Sequence, residues 1–195
     1  LNQKDNDSEG TGSQNAIWQL SLDYMPISRF RISSNFLIDE LKVDNFEDDT
    51  LSSDNDYAFN NKISYSFIYK KTYITSYVRQ VYVSPYTFRH EKGYNNFIIK
   101  SKTLGHPFGS NFLNYEFGLE LIIPFKINLK FNYGVLFSGP NSLTENPYNT
   151  YDFSAQENNK MYDKNYFSVG VKYYISNKTK LLFSIKNLIG NEFKN

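Results

Sequence analysis

Cysteine is absent from this chain, so neither a disulfide framework nor a thiolate-ligated metal site can form. Histidine is scarce, with His90 and His106 the only two. Long hydrophobic runs are missing too. The longest apolar stretches, such as "LELIIPF", are short and broken by charge or proline, far below the roughly 20 residues of a membrane helix. Charge of one sign is not in excess either: a formal net charge of +1 gives no basic surplus of the kind that draws nucleic acid. The opening "LNQKDNDSEGTGSQN" lacks the charged-then-apolar shape of a secretory signal. Because the chain starts at Leu1 rather than Met, it reads as a piece of a longer protein, which leaves export open.

What is abundant is aromatic. Tyr and Phe number 17 each, and aromatics make up 18% of the residues. They fall in alternation with period two, the signature of strands with one apolar and one polar face. In "AIWQLSLDYM", Trp18, Leu20, Leu22 and Tyr24 oppose Gln19, Ser21 and Asp23. "RFRISSNFLID" sets Phe30, Ile32, Phe36 and Ile38 against Arg29, Arg31, Ser33 and Asn35. "KISYSFIYK", "FLNYEFGLELI", "KINLKFNYGVLF", "YFSVGVKYYI" and "KTKLLFSIKNLI" repeat the scheme, and "YITSYVRQVYV" does so less cleanly. The pattern predicts an all-β chain, an antiparallel up-and-down meander of about eight long strands with almost no helical window.

Connection lengths sharpen that expectation. Short turns are expected around Pro26, at Lys70-Lys71, at Pro124-Phe125 and at Ser176-Asn177, alternating with long connections over about 40–60, 84–110 and 138–165. Compact soluble sandwiches seldom carry several long structureless loops. Transmembrane β-barrels alternate short periplasmic turns with long extracellular loops, on strands of about 9–11 residues with aromatic girdles. The expected architecture is therefore part of a transmembrane β-barrel, or a small closed version of one. Its bounds are a polar lead-in over 1–15, a barrel segment over 16–190 and a tail over 191–195. With long loops outside, both chain ends fall on the outer side, and "GNEFKN" lacks the usual aromatic final residue, so truncation at both ends is expected. On the polar face, Asp23, Arg29, Arg31, Glu116, Glu120 and Lys130 form the expected lumen network, pairing across strands because unpaired charge in a dry interior is costly.

The loops carry the candidate chemistry. Residues 39–56 hold eight carboxylates against one lysine, and a hard cation such as calcium takes such oxygens. The spacing and glycine of an EF-hand loop are absent, so a solvated acidic surface is the simpler reading. His90 or His106 beside Ser84 or Ser110 could be imagined as a hydrolase pair, but nothing supplies the third group that orients the base. In "LGHPFGSN", Gly105, Pro107 and Gly109 read as a tight backbone path into the next strand. The loop over 138–165 is rich in Asn and Tyr, which suits carbohydrate: aromatic faces stack on sugars and amides bond their hydroxyls.

Three short motifs occur in order: "FLIDEL", "VSPYTFRH" and "LGHPFGSN". Asp39 and Glu40 belong to the first, Pro85, Tyr86 and His90 to the second, and His106, Pro107, Gly109 and Asn111 to the third. Together, over about 16–190, they resemble the C-terminal portion of the capsule-assembly (Wzi-type) outer-membrane β-barrel family. Phe108 stands where that family more often has Leu, and Ser110 where it has Pro. The resemblance implies a large monomeric barrel in the Gram-negative outer membrane that binds, anchors or helps assemble capsular polysaccharide. It implies no enzyme activity, no cofactor and no metal, with lipid and surface polysaccharide as partners and nucleic acid as none. Tyr86, His90, Tyr94, His106, Asn111, Tyr148 and Tyr151 are the candidate polysaccharide-contacting residues. The competing readings are a porin or transport channel, an outer-membrane hydrolase and a soluble β-sandwich.

Overall fold

The computed structural model describes residues 17–39, 56–85, 87–88, 98–99, 102–103, 105–139, 162–176 and 179–190. Ten strands follow in order: β1 (Ile17–Ile27), β2 (Phe30–Asp39), β3 (Asp56–Tyr69), β4 (Thr72–Val83), β5 (Ile98–Ile99), β6 (Lys102–Thr103), β7 (Phe112–Ile123), β8 (Ile127–Ser138), β9 (Tyr162–Tyr174) and β10 (Lys180–Gly190). Eight of them form one antiparallel sheet in the order β1-β2-β3-β4-β7-β8-β9-β10, while β5 and β6 pair separately. This is the expected all-β up-and-down meander. The sheet is open rather than closed, because β1 and β10 do not pair with each other among the described residues. No helix there is long and apolar enough to cross a membrane, which says nothing about crossing by strands.

Local chemistry adjusts the expected bounds. Pro26 is not the first turn but lies inside β1, where the register with β2 shifts between Tyr24 and Ile27. Proline has no N–H to give a ladder, so it is tolerated at such a bulge on an edge strand. Strand β3 begins at Asp56 rather than past residue 60 and runs 14 residues, which moves Asp56 out of the loop and opposite Asp39. The turns at 70–71 and 124–126 stand where expected. The long connections lie at the end of the sheet marked by Asp39, Asp56, Val83, Phe112 and Ser138.

The two faces differ in what covers them. On one, large apolar side chains stand bare: Leu20 is 71% exposed, Trp18 61% and Phe183 58%. The other face is covered toward the long-connection end, where Ala58, Val81, Val83, Phe112, Leu136 and Tyr166 pack with Phe88 and bury the ring of Phe112 completely. Those strand positions share the parity of the polar side chains. The upper part of the polar face is therefore a small apolar core. This explains why "VRQVYV" alternates poorly: Val81 and Val83 join that core while Gln80 and Tyr82 sit on the opposite, bare face.

Candidate functional site

A latch of short polar side chains fixes the chain that leaves β4. The Ser84 hydroxyl donates to Asp56 Oδ1 at 2.6 Å and lies 2.7 Å from Thr87 Oγ1. Thr87 donates to the Tyr57 carbonyl at 3.1 Å, and the Phe88 N–H donates to the buried Asp39 carboxylate. These bonds turn the Phe88 ring onto the core, where it lies so close to Gly105 that a Cβ there would strike it. At the far end of the connection the Asn111 N–H donates to the Ser84 carbonyl at 3.2 Å, and the Gly139 N–H to the Asn111 carbonyl at 2.8 Å. Asn111 has φ 56 and Gly109 φ 80, left-handed conformations that asparagine and glycine adopt most readily.

The latch lays residues 105–111 over the covered face. The His106 ring stacks 4.7 Å from Phe112, centroid to centroid, and the Phe108 ring lies 6.0 Å from Tyr166. Lys186 of β10 places its ammonium 4.9 Å from the Phe108 centroid and 5.3 Å from that of Tyr166, within cation–π range. Beneath the turn, two tyrosines lie across glycines of the neighbouring strand. Tyr77 faces Gly118, and Tyr166 faces Gly134; any Cβ at either glycine would meet the tyrosine ring. Each hydroxyl thus reaches past its neighbour to the strand beyond. Tyr77 Oη lies 2.8 Å from Asn132 Oδ1 and 3.1 Å from Glu116 Oε1, and it donates to one of them. Tyr166 donates to Glu116 Oε2 at 2.9 Å and accepts from Asn114 Nδ2 at 3.1 Å. Arg79 lies 4.0 Å from the same carboxylate and donates through Nε to Asn60 at 3.1 Å. Glu116 is the hub of the network.

His106 meets that network from the loop. Its Nε2 is 3.4 Å from Arg79 Nη2, and its Nδ1 accepts from the Phe108 N–H at 3.3 Å. Burial, with the positive charge of Arg79 and Lys186 beside it, pushes its pKa down from the usual 6.5 to about 4, so the ring is neutral at physiological pH. A neutral imidazole carries one N–H and accepts through the other nitrogen only, so it can serve fully just one of these two donors. One nitrogen and the ring face are thereby committed to structural contacts. Ser84, one of the serines considered as a nucleophile, is bound into the latch, and Ser110, the other, is fully buried.

Of the expected lumen residues, Asp23, Arg31, Glu116, Glu120 and Lys130 share one face of the sheet, but not as one cluster. Asp23 and Arg31 pair with each other in a two-pronged contact at the exposed β1–β2 corner, and the Asp23 partner on β2 in register is Ser33. Arg29 lies in the adjoining turn, its carbonyl accepting from the Ser66 N–H at 2.8 Å. Glu120 and Lys130 stand opposite each other in register, yet the carboxylate accepts from Asn128 at 3.0 Å and makes no ion pair with Lys130. Sequence reasoning missed Arg79, Tyr77 and Tyr166, the actual partners of Glu116, and Asn114 and Asn132, which bond the two tyrosine hydroxyls. The one local signal was the pair of glycines, Gly118 and Gly134, interrupting otherwise continuous strands. Of the candidate sugar-contacting residues, His106 and Asn111 lie in the turn over the covered face. Tyr86, His90, Tyr94, Tyr148 and Tyr151 fall outside the described residues, as does most of the acidic segment 39–56.

No protein-family model matches the chain, and no curated protein matches it. Among solved structures the chain is similar to Wzi of Escherichia coli, an outer membrane protein involved in group 1 capsule assembly and described as a carbohydrate-binding β-barrel. The TM-score is 0.54 at 11% identity, over 90% of this chain and 48% of that one. The likeness is one of fold. The chain spans about half the length of that barrel.

Proposed function

We propose that the protein is a non-catalytic β-barrel of the Gram-negative outer membrane that binds surface polysaccharide and takes part in holding or assembling it. The observation that carries this reading is the division of the sheet. One face leaves Trp18, Leu20, Leu22 and Phe183 bare, while the other carries tyrosines, amides and a carboxylate beneath an in-folded turn. Apolar surface on that scale would drive aggregation in water and is stable against lipid hydrocarbon. The fold similarity to a carbohydrate-binding barrel supports the glycan part of the reading. The partners are then outer-membrane lipid and polysaccharide, for a monomer acting without a cofactor.

The test is to express the longest reading frame containing this chain, with a signal sequence, in a Gram-negative host. Purified outer membranes are run on a gel with and without boiling, then assayed for polysaccharide retention. Faster migration of the unboiled band together with glycan retention is the expected result. Recovery in the soluble fraction with no heat-dependent shift overturns the reading, and the bare face becomes a core awaiting a second sheet. A transport channel is the alternative. The turn 105–111 lies across the upper part of the covered face, so large steady conductance in a planar bilayer is not expected, and its appearance would favour the channel.

A further inference from the structure

The bare face is not apolar throughout. One register row across it carries Ser34, Asn61, Gln80, Tyr115 and, beyond Val135, Asn165. The row on the side of the long connections holds Phe36, Phe59, Tyr82, Leu113 and Phe137. The row on the other side holds Ile63, Val78, Phe117, Tyr133 and Phe167. Amide side chains are thus set between two apolar rows, and they satisfy one another only in part. Ser34 donates to Asn61 Oδ1 at 2.6 Å, and Gln80 Nε2 donates to Tyr115 Oη at 3.2 Å. The Asn61 amide hydrogens and the Gln80 carbonyl find no partner among the described residues. These groups edge a groove of about 430 Å³ on β3, β4, β7 and β8, where Val78 is short between Ile63 and Phe117.

From this arrangement we infer that the groove seats one acyl chain of an outer-leaflet glycolipid whose chains are amide-linked and hydroxylated. Against hydrocarbon an unbonded amide is costly, and the strand backbone beside it has already spent its own groups on the ladder. Asn61 needs an acceptor and Gln80 needs a donor. A glycerophospholipid answers half of that need, because its ester carbonyls accept and cannot donate. An amide-linked 3-hydroxyacyl chain answers all of it. Its carbonyl accepts from Asn61, its N–H or hydroxyl donates to Gln80, and its methylenes lie over Ile63, Val78 and Phe117. The depth suits such a lipid: the polar row lies one row inside the aromatic row of Phe36 and Tyr82, just beneath the level at which girdle aromatics meet headgroups. The groove has the volume of a small-molecule site, roughly 300–1,000 Å³, and is small against a subunit contact. The inference rests on the membrane-spanning part of the proposed function and is independent of its glycan part.

The test takes the full reading frame from outer membranes in mild detergent and offers three probes: lipid A with amide-linked 3-hydroxyacyl chains, phosphatidylethanolamine and phosphatidylglycerol. Native mass spectrometry counts the lipid that each barrel retains. Lipid A is expected to be retained in preference to both ester lipids. N61L/Q80L, which removes the donor and the acceptor, should lower that retention by about tenfold. V78F, which fills the groove and leaves the amides in place, should lower it as well. A heat-dependent gel shift for each variant shows that folding is intact. Equal retention of the three lipids, or full retention of lipid A by either variant, overturns the subsite and leaves the membrane barrel standing. Phosphatidylglycerol held as well as lipid A means that negative charge is read rather than the amide, and overturns it too. A lipid-free dimer that V78F dissociates makes the groove a subunit contact, with the same result. Recovery of the wild-type protein in the soluble fraction, with no heat-dependent shift, overturns the membrane reading and the subsite together.

Discussion

At the scale of single residues the protein depends on two absences, the missing side chains of Gly118 and Gly134. Each lets a tyrosine lie flat over the next strand and place its hydroxyl on Glu116. Gly118→Ala and Gly134→Ala should each destabilise the fold by about 1–3 kcal/mol, because the ring must leave an overpacked position and its hydrogen bonds lengthen or break. Tyr166→Phe should cost about 1–2 kcal/mol by leaving Glu116 and Asn114 each short of a partner. Urea unfolding in lipid vesicles measures all three, and an unchanged midpoint would contradict the hub role of Glu116. His106 gives the pH dependence. Its pKa is about 4 when folded and 6.5 otherwise, so the unfolded loop binds the proton more readily. The stability it contributes is present above pH 6.5 and is lost as pH falls toward 4, by on the order of 1–2 kcal/mol for a ring that keeps some exposure. Arg79 and Lys186 face it with positive charge and Glu116 lies beyond Arg79, so protonation places a third cation among them. Amide protection over 105–111, relative to the intrinsic exchange rate at each pH, should fall between pH 6.5 and 4, and a His106→Gln variant should lose that dependence.

At the scale of elements, the 84–111 connection is held at its two ends by different means. Its start depends on buried polar bonds to Asp39 and Asp56, and its end on backbone bonds through Asn111 and Gly139. Asp39→Ala should free the Phe88 N–H and the ring it positions, and thereby release the 105–111 turn from the covered face. Limited proteolysis should then cut within the connection while the strands persist, and an unaltered digestion pattern would show that the latch is not what holds the turn. The eight strands of the large sheet were legible from alternation alone, as were the turns at 70–71 and 124–126, but not the short β5–β6 pair. The position of Pro26 was not. Proline reads locally as a turn residue, and only pairing with β2 shows that β1 continues past it in a bulge. Asp39 and Asp56 looked like parts of one acidic loop, yet each is a strand residue with a specific donor, Phe88 N–H and Ser84 Oγ.

At the scale of the whole molecule, the sidedness of the sheet decides what environment the protein needs. Phe117 stands mid-strand on the bare face, 45% exposed, in a row with Ile63, Val78 and Tyr133. In a bilayer, Phe117→Arg should cost about 2–4 kcal/mol, while Ser64→Arg on the other face should cost far less. Folding into vesicles compares the two, and equal costs would argue against lipid contact on the bare face. By itself the sequence determined the strands, their two faces and the alternation of short and long joints, because period-two patterning and turn chemistry act between near neighbours in the chain. Only the tertiary structure decided that Glu116 answers to Tyr77, Arg79 and Tyr166 rather than to Lys130, and that the His106 turn folds over the sheet. It also decided that Asn61 and Gln80 edge one groove on the bare face. Those contacts depend on the register of strands far apart in the chain, as in the 78 residues between Phe108 and Lys186, which leaves no mark on the local pattern beyond the two glycines that the tyrosines cross.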